Sequence, residues 1–299
     1  MRVIIYYILV VLIWGSTWYA IELQLGQVAP EWSVAYRFFL ASVLLFAWCL
    51  IRRRTLIFPF KTHLSMALLG LLLFSGNYIL VYIGTGYLTS GLVAVAFSAL
   101  TILNIINARI FLKVPFERAI LFGAILGISG LLMIFWPEVD QMSLSDNTTI
   151  GLGICLAGTM LASLGNTVAA SKRTAVIPVD ALTAWGMLYG SVATALVALL
   201  MGKEFLLDGR ASYWASLLYL SLIGSVIAFS LYLWLLKNIG VAQTAYTAVM
   251  IPIVALFIST LLEGYIWTST SVIGLAMVVF GNVVMIQRKR KKPVSIVEA

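Results

Sequence analysis

The chain has 299 residues, of which 62% are hydrophobic and only 10% charged, and its mean hydropathy is +1.06. That composition cannot supply the polar surface a water-soluble core of this size needs, so a soluble globular domain is excluded and an integral membrane protein is implied. The net charge of +8 comes from Lys and Arg scattered over several loops, a pattern suited to membrane topology and anionic lipid headgroups rather than to nucleic acid.

Ten apolar stretches approach or reach the roughly 20 residues that about 30 Å of hydrocarbon demands of a helix. They run over residues 3–21, 33–50, 64–83, 88–112, 118–136, 150–170, 181–201, 212–236, 242–262 and 271–286. Lipid offers no partner to backbone N–H and C=O groups, and the stretches lack the alternation of barrel strands, so all are predicted to be helices.

The first stretch resembles a signal peptide, but no small-x-small cleavage pattern follows and the run continues through Trp14 and Trp18, so it is read as a retained span. Trp14 falls near the midplane, whereas Trp18 falls where an interfacial aromatic belt is expected. In the second span Arg37 sits roughly 6 Å inside the start. Two readings of it stay open: snorkelling to the outer interface, or pairing with Glu31, with a substrate carboxylate or with a backbone carbonyl. His63, the single histidine, stands at the mouth of the third span, which excludes an imidazole proton relay or metal cluster.

Further along the third span, Asn77 and Tyr78 lie near the midplane and Tyr82 one turn towards the outer end. In the fourth span Phe97, Thr101 and Asn104 repeat at helical spacing and share a face. Ser163, Asn166 and Thr167 give the sixth span a polar face, and Ser225, Phe229 and Tyr232 do the same for the eighth. For Asn77, Tyr78 and Asn166 an interhelical hydrogen bond competes with a binding role. In the ninth span Tyr246 precedes Pro252, whose missing N–H frees the carbonyl of Ala248. Cys49 and Cys155 lie in spans of different halves and read as small apolar side chains rather than a bridge.

Arg2, Arg52 to Arg54, Lys61, Arg109, Lys113, Arg118, Lys172, Arg173, Lys237 and the basic run 288–292 all fall on one side of this arrangement, and only Lys203 and Arg210 on the other. Basic residues of short loops stay in the cytoplasm, so both termini are expected there, in a multi-pass protein of a bacterial inner membrane.

The polar, acidic loop 137–149 divides the chain into residues 1–136 and 150–286, with a basic tail at 287–299. At a shift of 151 residues Gly123 falls on Gly274 and Gly130 on Gly281, while Pro30 and Pro178 each precede the second span of their half. An odd number of crossings per half forces the second to enter the membrane upside down, giving an inverted-topology repeat whose two bundles can tilt against each other. Gly123, Gly274 and Pro252 are candidate hinge or gating positions.

Trp14-Gly15-Ser16-Thr17, Pro30 with Arg37-Phe38, the Ala-rich fourth span and the ninth span bearing Pro252 resemble the EamA-type transporters of the drug/metabolite transporter superfamily. Within it, the abundant aromatics and the Asn77-Tyr78 region are most similar to the aromatic amino acid exporters of the YddG type. The resemblance implies an all-α fold of ten transmembrane helices in two inverted five-helix repeats, and it is compatible with a monomer. One departure is that Lys113 and Pro115 stand where many members carry a small residue and then Glu.

The expected activity is export of aromatic and other bulky neutral amino acids by alternating access, driven by their own gradient because no carboxylate lies near the midplane. The expected substrate-binding residues are Trp14, Asn77, Tyr78, Tyr82, Phe97, Thr101, Asn166 and Tyr246, with Arg37 as a charge partner. Rings would bind side chains and amides would orient the zwitterion. Cationic drugs or other metabolites are the second reading, possibly with proton coupling, and a non-transporting receptor or scaffold is the third. The absence of catalytic or metal-binding motifs argues against an enzyme and against any metal or cofactor.

Overall fold

Every predicted span is helical in the computed structural model, and no strand occurs among the described residues, which are 1–24, 26–88, 90–115, 118–136, 140, 146–262 and 267–286. Most of the acidic connecting loop, Glu263, the basic tail and the side chains of Trp18 and Glu22 lie outside that description.

In the first half, span 1 is Arg2–Glu22, span 2 Pro30–Ile51, span 3 runs from Phe60 to Thr85, span 4 is Ser90–Ser98 followed by Leu100–Phe111, and span 5 is Arg118–Ile134. In the second, span 6 is Asp146–Ala169, span 7 Val179–Leu200, span 8 runs from Ala211 to Ile239, span 9 is Val241–Ala245 followed by Thr247–Leu262, and span 10 is Ser269–Ile286. Spans 2, 3, 6, 7 and 8 are long and apolar enough to cross a bilayer by themselves, and shorter apolar helices make up the rest. Their outer faces carry apolar rows such as Ile4, Ile8 and Leu12 at four-residue spacing, which is what contact with lipid tails requires.

Three local features repeat in the two halves. Span 2 starts with Pro30, and span 7 directly follows Pro178, positions where a missing N–H costs nothing. Both helices end in the same turn: Arg54 N–H donates to Cys49 O at 2.8 Å and Lys203 N–H to Ala198 O at 2.9 Å. The residue before each donor takes the left-handed conformation that closes such a cap, with φ +52° at Arg53 and +66° at Gly202. Finally, spans 3 and 8 each contain a π-helical segment, Gly70–Gly76 and Leu222–Ile227. The wider i→i+5 ladder weakens a helix, and such segments gather at functional sites.

Packing follows a two-fold relation between the halves. Span 2 packs on span 7 and span 5 on span 10, while span 3 packs on span 6 as span 8 does on span 1. At the span 5–span 10 seam, a methyl built on Gly130 would lie 2.6 Å from Gly274 O, and one on Gly281 would lie 2.8 Å from Gly123 O. Since Gly274 and Gly281 are the repeat mates of Gly123 and Gly130, each contact is the image of the other, as a self-complementary interface requires. The protein is therefore an all-α membrane protein of ten spans in two inverted five-helix repeats.

Two sequence expectations need correction. Spans 4 and 9 are broken, at Ala99 and at Tyr246, where continuous helices were expected. The break in span 9 falls six residues before Pro252, which lies inside the helix Thr247–Leu262. Proline is accommodated within that helix, and the interruption falls instead where Thr247 and Thr244 hydroxyls turn back onto the carbonyls of Thr244 and Gly240.

Candidate functional site

The π segment of span 8 is the anchor of the interior. Its Gly224 carbonyl accepts the indole N–H of Trp14 at 3.1 Å and Arg37 Nη2 at 3.3 Å, and the neighbouring Ser225 Oγ accepts Arg37 Nε at 2.8 Å. Arg37 does not snorkel. Its residue is 3% exposed, and its head reaches the centre of span 8, about 20 Å along that helix from Ala211. A methyl at Gly224 would lie 3.0 Å from Thr17 Cγ2 and 3.3 Å from Arg37 Nη2, so the missing side chain lets the guanidinium approach closely. Glu31 does not pair with Arg37: no ion pair to Arg37 occurs among the described residues, and Glu31 Oε2 is buried without a hydrogen bond.

Around this anchor the rings join into one wall. Tyr232 lies 5.0 Å from Trp14, Trp14 4.9 Å from Phe229, Phe229 6.3 Å from Phe38 and Phe38 4.9 Å from Tyr78, all between centroids. The contacts are edge-on or tilted, the arrangement ring quadrupoles favour. The Arg37 guanidinium stands 5.6 Å from the Tyr78 ring centre and 5.4 Å from that of Phe38. Tyr78 and Tyr82 pack against the same core and keep part of their surface accessible.

Next to the wall is a group of polar atoms with no partners. The Tyr232 hydroxyl faces the amides of Asn104 and Asn166, but none of the three reaches hydrogen-bond geometry, and both amides are unsatisfied at oxygen and nitrogen. Asn77 Oδ1 is likewise buried and unbonded. Buried polar groups are nearly always paired, and leaving one unpaired costs about 1–3 kcal/mol. Three such residues, Asn104, Asn166 and Tyr232, come from spans 4, 6 and 8 and so from both repeats.

The structure thus brings Trp14, Tyr78 and Arg37 together and sets Asn166 beside Tyr232. Phe97 and Tyr82 pack at the edge of the same core, half-buried. Thr101 and Tyr246 stand apart. Thr101 Oγ1 donates to Ala245 O at 3.3 Å, tying span 4 to the break in span 9. Tyr246 is fully buried, and its hydroxyl lies 3.2 Å from both Gly123 O and Val278 O, at the span 5–span 10 seam. Gly123 and Gly274 belong to that close-packed seam.

Four participants were not among the expected substrate-binding residues: Asn104, Phe229, Tyr232 and Gly224. The first three lie on faces the helical spacing had marked as polar or aromatic; Gly224 carries no such signal, because what it contributes is a backbone carbonyl.

Two aromatic pairs close the bundle at its ends. Trp32 stacks on Tyr36 at 5.8 Å and Trp185 on Tyr189 at 5.6 Å, both with ring planes at 24°. Trp32 donates its indole N–H to Lys203 O at the predicted outer end, and Trp185 donates to Leu56 O at the predicted inner end. His63 joins the inner pair through its Nδ1, 2.8 Å from the Tyr189 hydroxyl.

An all-helical inverted repeat with a polar and aromatic site at its seam defines a membrane transporter. The chain belongs to the EamA-like transporter family, which it matches over residues 1–136 and 149–287. It is 28% identical over 276 residues to the inner membrane transporter YedA of Escherichia coli K12, covering 92% of this chain and 87% of that protein. Similarity extends to the transporter YoaV of Bacillus subtilis, 25% identical over 86% of this chain and 87% of that one, and to protein PagO of Salmonella typhimurium, 21% identical over 93% and 90%. A solved crystal structure shares the fold, with a TM-score of 0.78 at 18% identity over 94% of each chain.

Proposed function

We propose that this transporter exports aromatic and other bulky neutral amino acids by alternating access, down their own gradient. The observation that carries this reading is the aromatic wall Tyr232–Trp14–Phe229–Phe38–Tyr78 set against the unsatisfied amides of Asn104 and Asn166. Rings offer apolar contact to a large side chain, and neutral amides orient a zwitterion without demanding a net charge. The seam position supports exposure to each side in turn, because tilting of the halves moves the walls relative to one another.

Gradient-driven export is favoured because the acidic group that span 2 supplies, Glu31, sits in the first turn of its helix, far from the midplane. Cationic drugs are the second reading, since aromatic walls also attract ammonium groups; the buried positive charge of Arg37 beside the same rings works against them. The orientation with both termini in the cytoplasm is part of the same proposal.

Counterflow in proteoliposomes tests it, with labelled phenylalanine, tryptophan and threonine and an optional pH gradient. Exchange of these amino acids, without uphill accumulation under the gradient, is expected. Transport of methyl viologen with no amino acid exchange would reject the cargo, and proton-driven accumulation would reject the uncoupled mechanism.

A further inference from the structure

The two copies of the second helix each pack against the π segment of the opposite half, and they bring different side chains to it. Spans 2 and 7 are each 22 residues long and end in the same cap turn at a shift of 149 residues, Cys49 with Ala198 and Arg54 with Lys203, so Arg37 in span 2 corresponds to Gly186 in span 7. Each faces the π segment of the opposite half. Gly186 lies against Phe74 and Leu69, where a methyl would come within 3.1 Å of Phe74 Cε2 and 3.3 Å of Leu69 Cδ2. Arg37 lies against Gly224 and Ser225. Packing at this crossing is therefore achieved without a cation in one repeat, and the fold does not call for the guanidinium in the other.

That guanidinium is expensive where it stands. It is buried inside the membrane-spanning bundle with no carboxylate in reach among the described residues, and a buried charge is normally paired. Of its five N–H groups, one on Nε and one on Nη2 are engaged, and Nη1 makes no hydrogen bond among the described residues. Its head lies over Tyr78, a partly buried ring of the aromatic wall.

We propose that Arg37 is the anion-recognition point of the transport site, so that a substrate must carry a carboxylate. The free edge of the guanidinium receives the carboxylate, in the geometry that favours two parallel hydrogen bonds, and the aromatic wall receives the side chain. Ser225 and Gly224 hold the head in place from behind. This rests on the proposed site and narrows its cargo: carboxylates are accepted, while cationic amines of the same shape are refused.

Equilibrium binding to the purified full chain tests the inference separately from transport. The probes are 3-phenylpropionate, its neutral amide 3-phenylpropionamide, and phenethylamine, none of which is an amino acid. Wild type is expected to bind the carboxylate at least tenfold more tightly than the amide and to bind the amine most weakly. Arg37→Gln, which keeps a donor for Ser225, should bring the carboxylate-to-amide ratio close to one, and Arg37→Lys should keep part of it.

A ratio near one in wild type, or an unchanged ratio in Arg37→Gln, overturns the proposal. The wild-type measurement decides even if neither variant folds. Failure of amino acid counterflow with an intact carboxylate preference would instead remove the amino acid cargo and leave the anion site standing.

Discussion

Trp32 in span 2 and Trp185 in span 7 each donate the indole N–H to a loop carbonyl of the other repeat, at 3.0 Å to Lys203 and 3.2 Å to Leu56. One bond closes each end of the bundle. Because the two bonds tie opposite ends of the bundle, loosening one favours opening at its own end.

Trp32→Phe and Trp185→Phe each delete one such bond while keeping the ring. A net hydrogen bond contributes about 1 kcal/mol, so each variant should shift the balance of open states roughly fivefold, in opposite directions. Labelling rates of single cysteines placed near Phe205 and near Phe58, with an impermeant reagent applied from either side, read this out. A shift of the same sign in both variants would refute paired latches.

The glycine seam should tolerate no side chain. Gly274→Ala and Gly281→Ala place a methyl 2.5 Å and 2.8 Å from the carbonyls of Gly130 and Gly123, and overpacking of this kind costs typically about 1–3 kcal/mol. Gly153→Ala meets nothing within 4 Å and gains up to about 1 kcal/mol of helix propensity. Thermal unfolding in detergent should rank Gly153→Ala at or above wild type and the seam variants below it.

Tyr232→Phe removes a hydroxyl that has no hydrogen-bond partner. Stability should be unchanged or raised, since an unsatisfied buried group is lost, while the KM for the transported amino acid rises severalfold. Asn166→Ala should behave alike. If the two also combine additively in a double-mutant cycle of transport, the polar group does not act as one site.

At the predicted outer end, Arg210 bonds both oxygens of Asp208 and holds that carboxyl below its usual value of 3.8. A lowered folded-state value means the turn gains stability above the unfolded value and loses it as pH falls through the folded one. The Arg210 backbone amide, 2.8 Å from Asp208 Oδ1, should therefore show unchanged protection against hydrogen exchange between about pH 5 and pH 7 once the intrinsic pH dependence of exchange is removed. Asp208→Asn should weaken that protection across the same range.

Much of the site was legible as faces and little of it as contacts. Helical spacing put Trp14, Tyr78 and Asn166 towards the interior, and the π segments and broken spans escaped because the residues there, apolar or small, fit a regular helix equally well. A fixed shift of 151 residues finds the glycine pairs but misses spans 2 and 7, whose ends match at 149; small differences in loops and turns move the register between elements.

By itself the sequence determined that the chain lives in lipid, crosses ten times and repeats itself upside down. Apolar length, the obligatory satisfaction of backbone groups and the placement of basic residues are local properties, and they add along the chain. Only the tertiary structure decided that Arg37 meets Gly224, 187 residues away, and that Tyr246 belongs to a packing seam instead of the aromatic wall. Such encounters depend on how helices cross and which carbonyl a π turn leaves open, and no spacing within one helix encodes either.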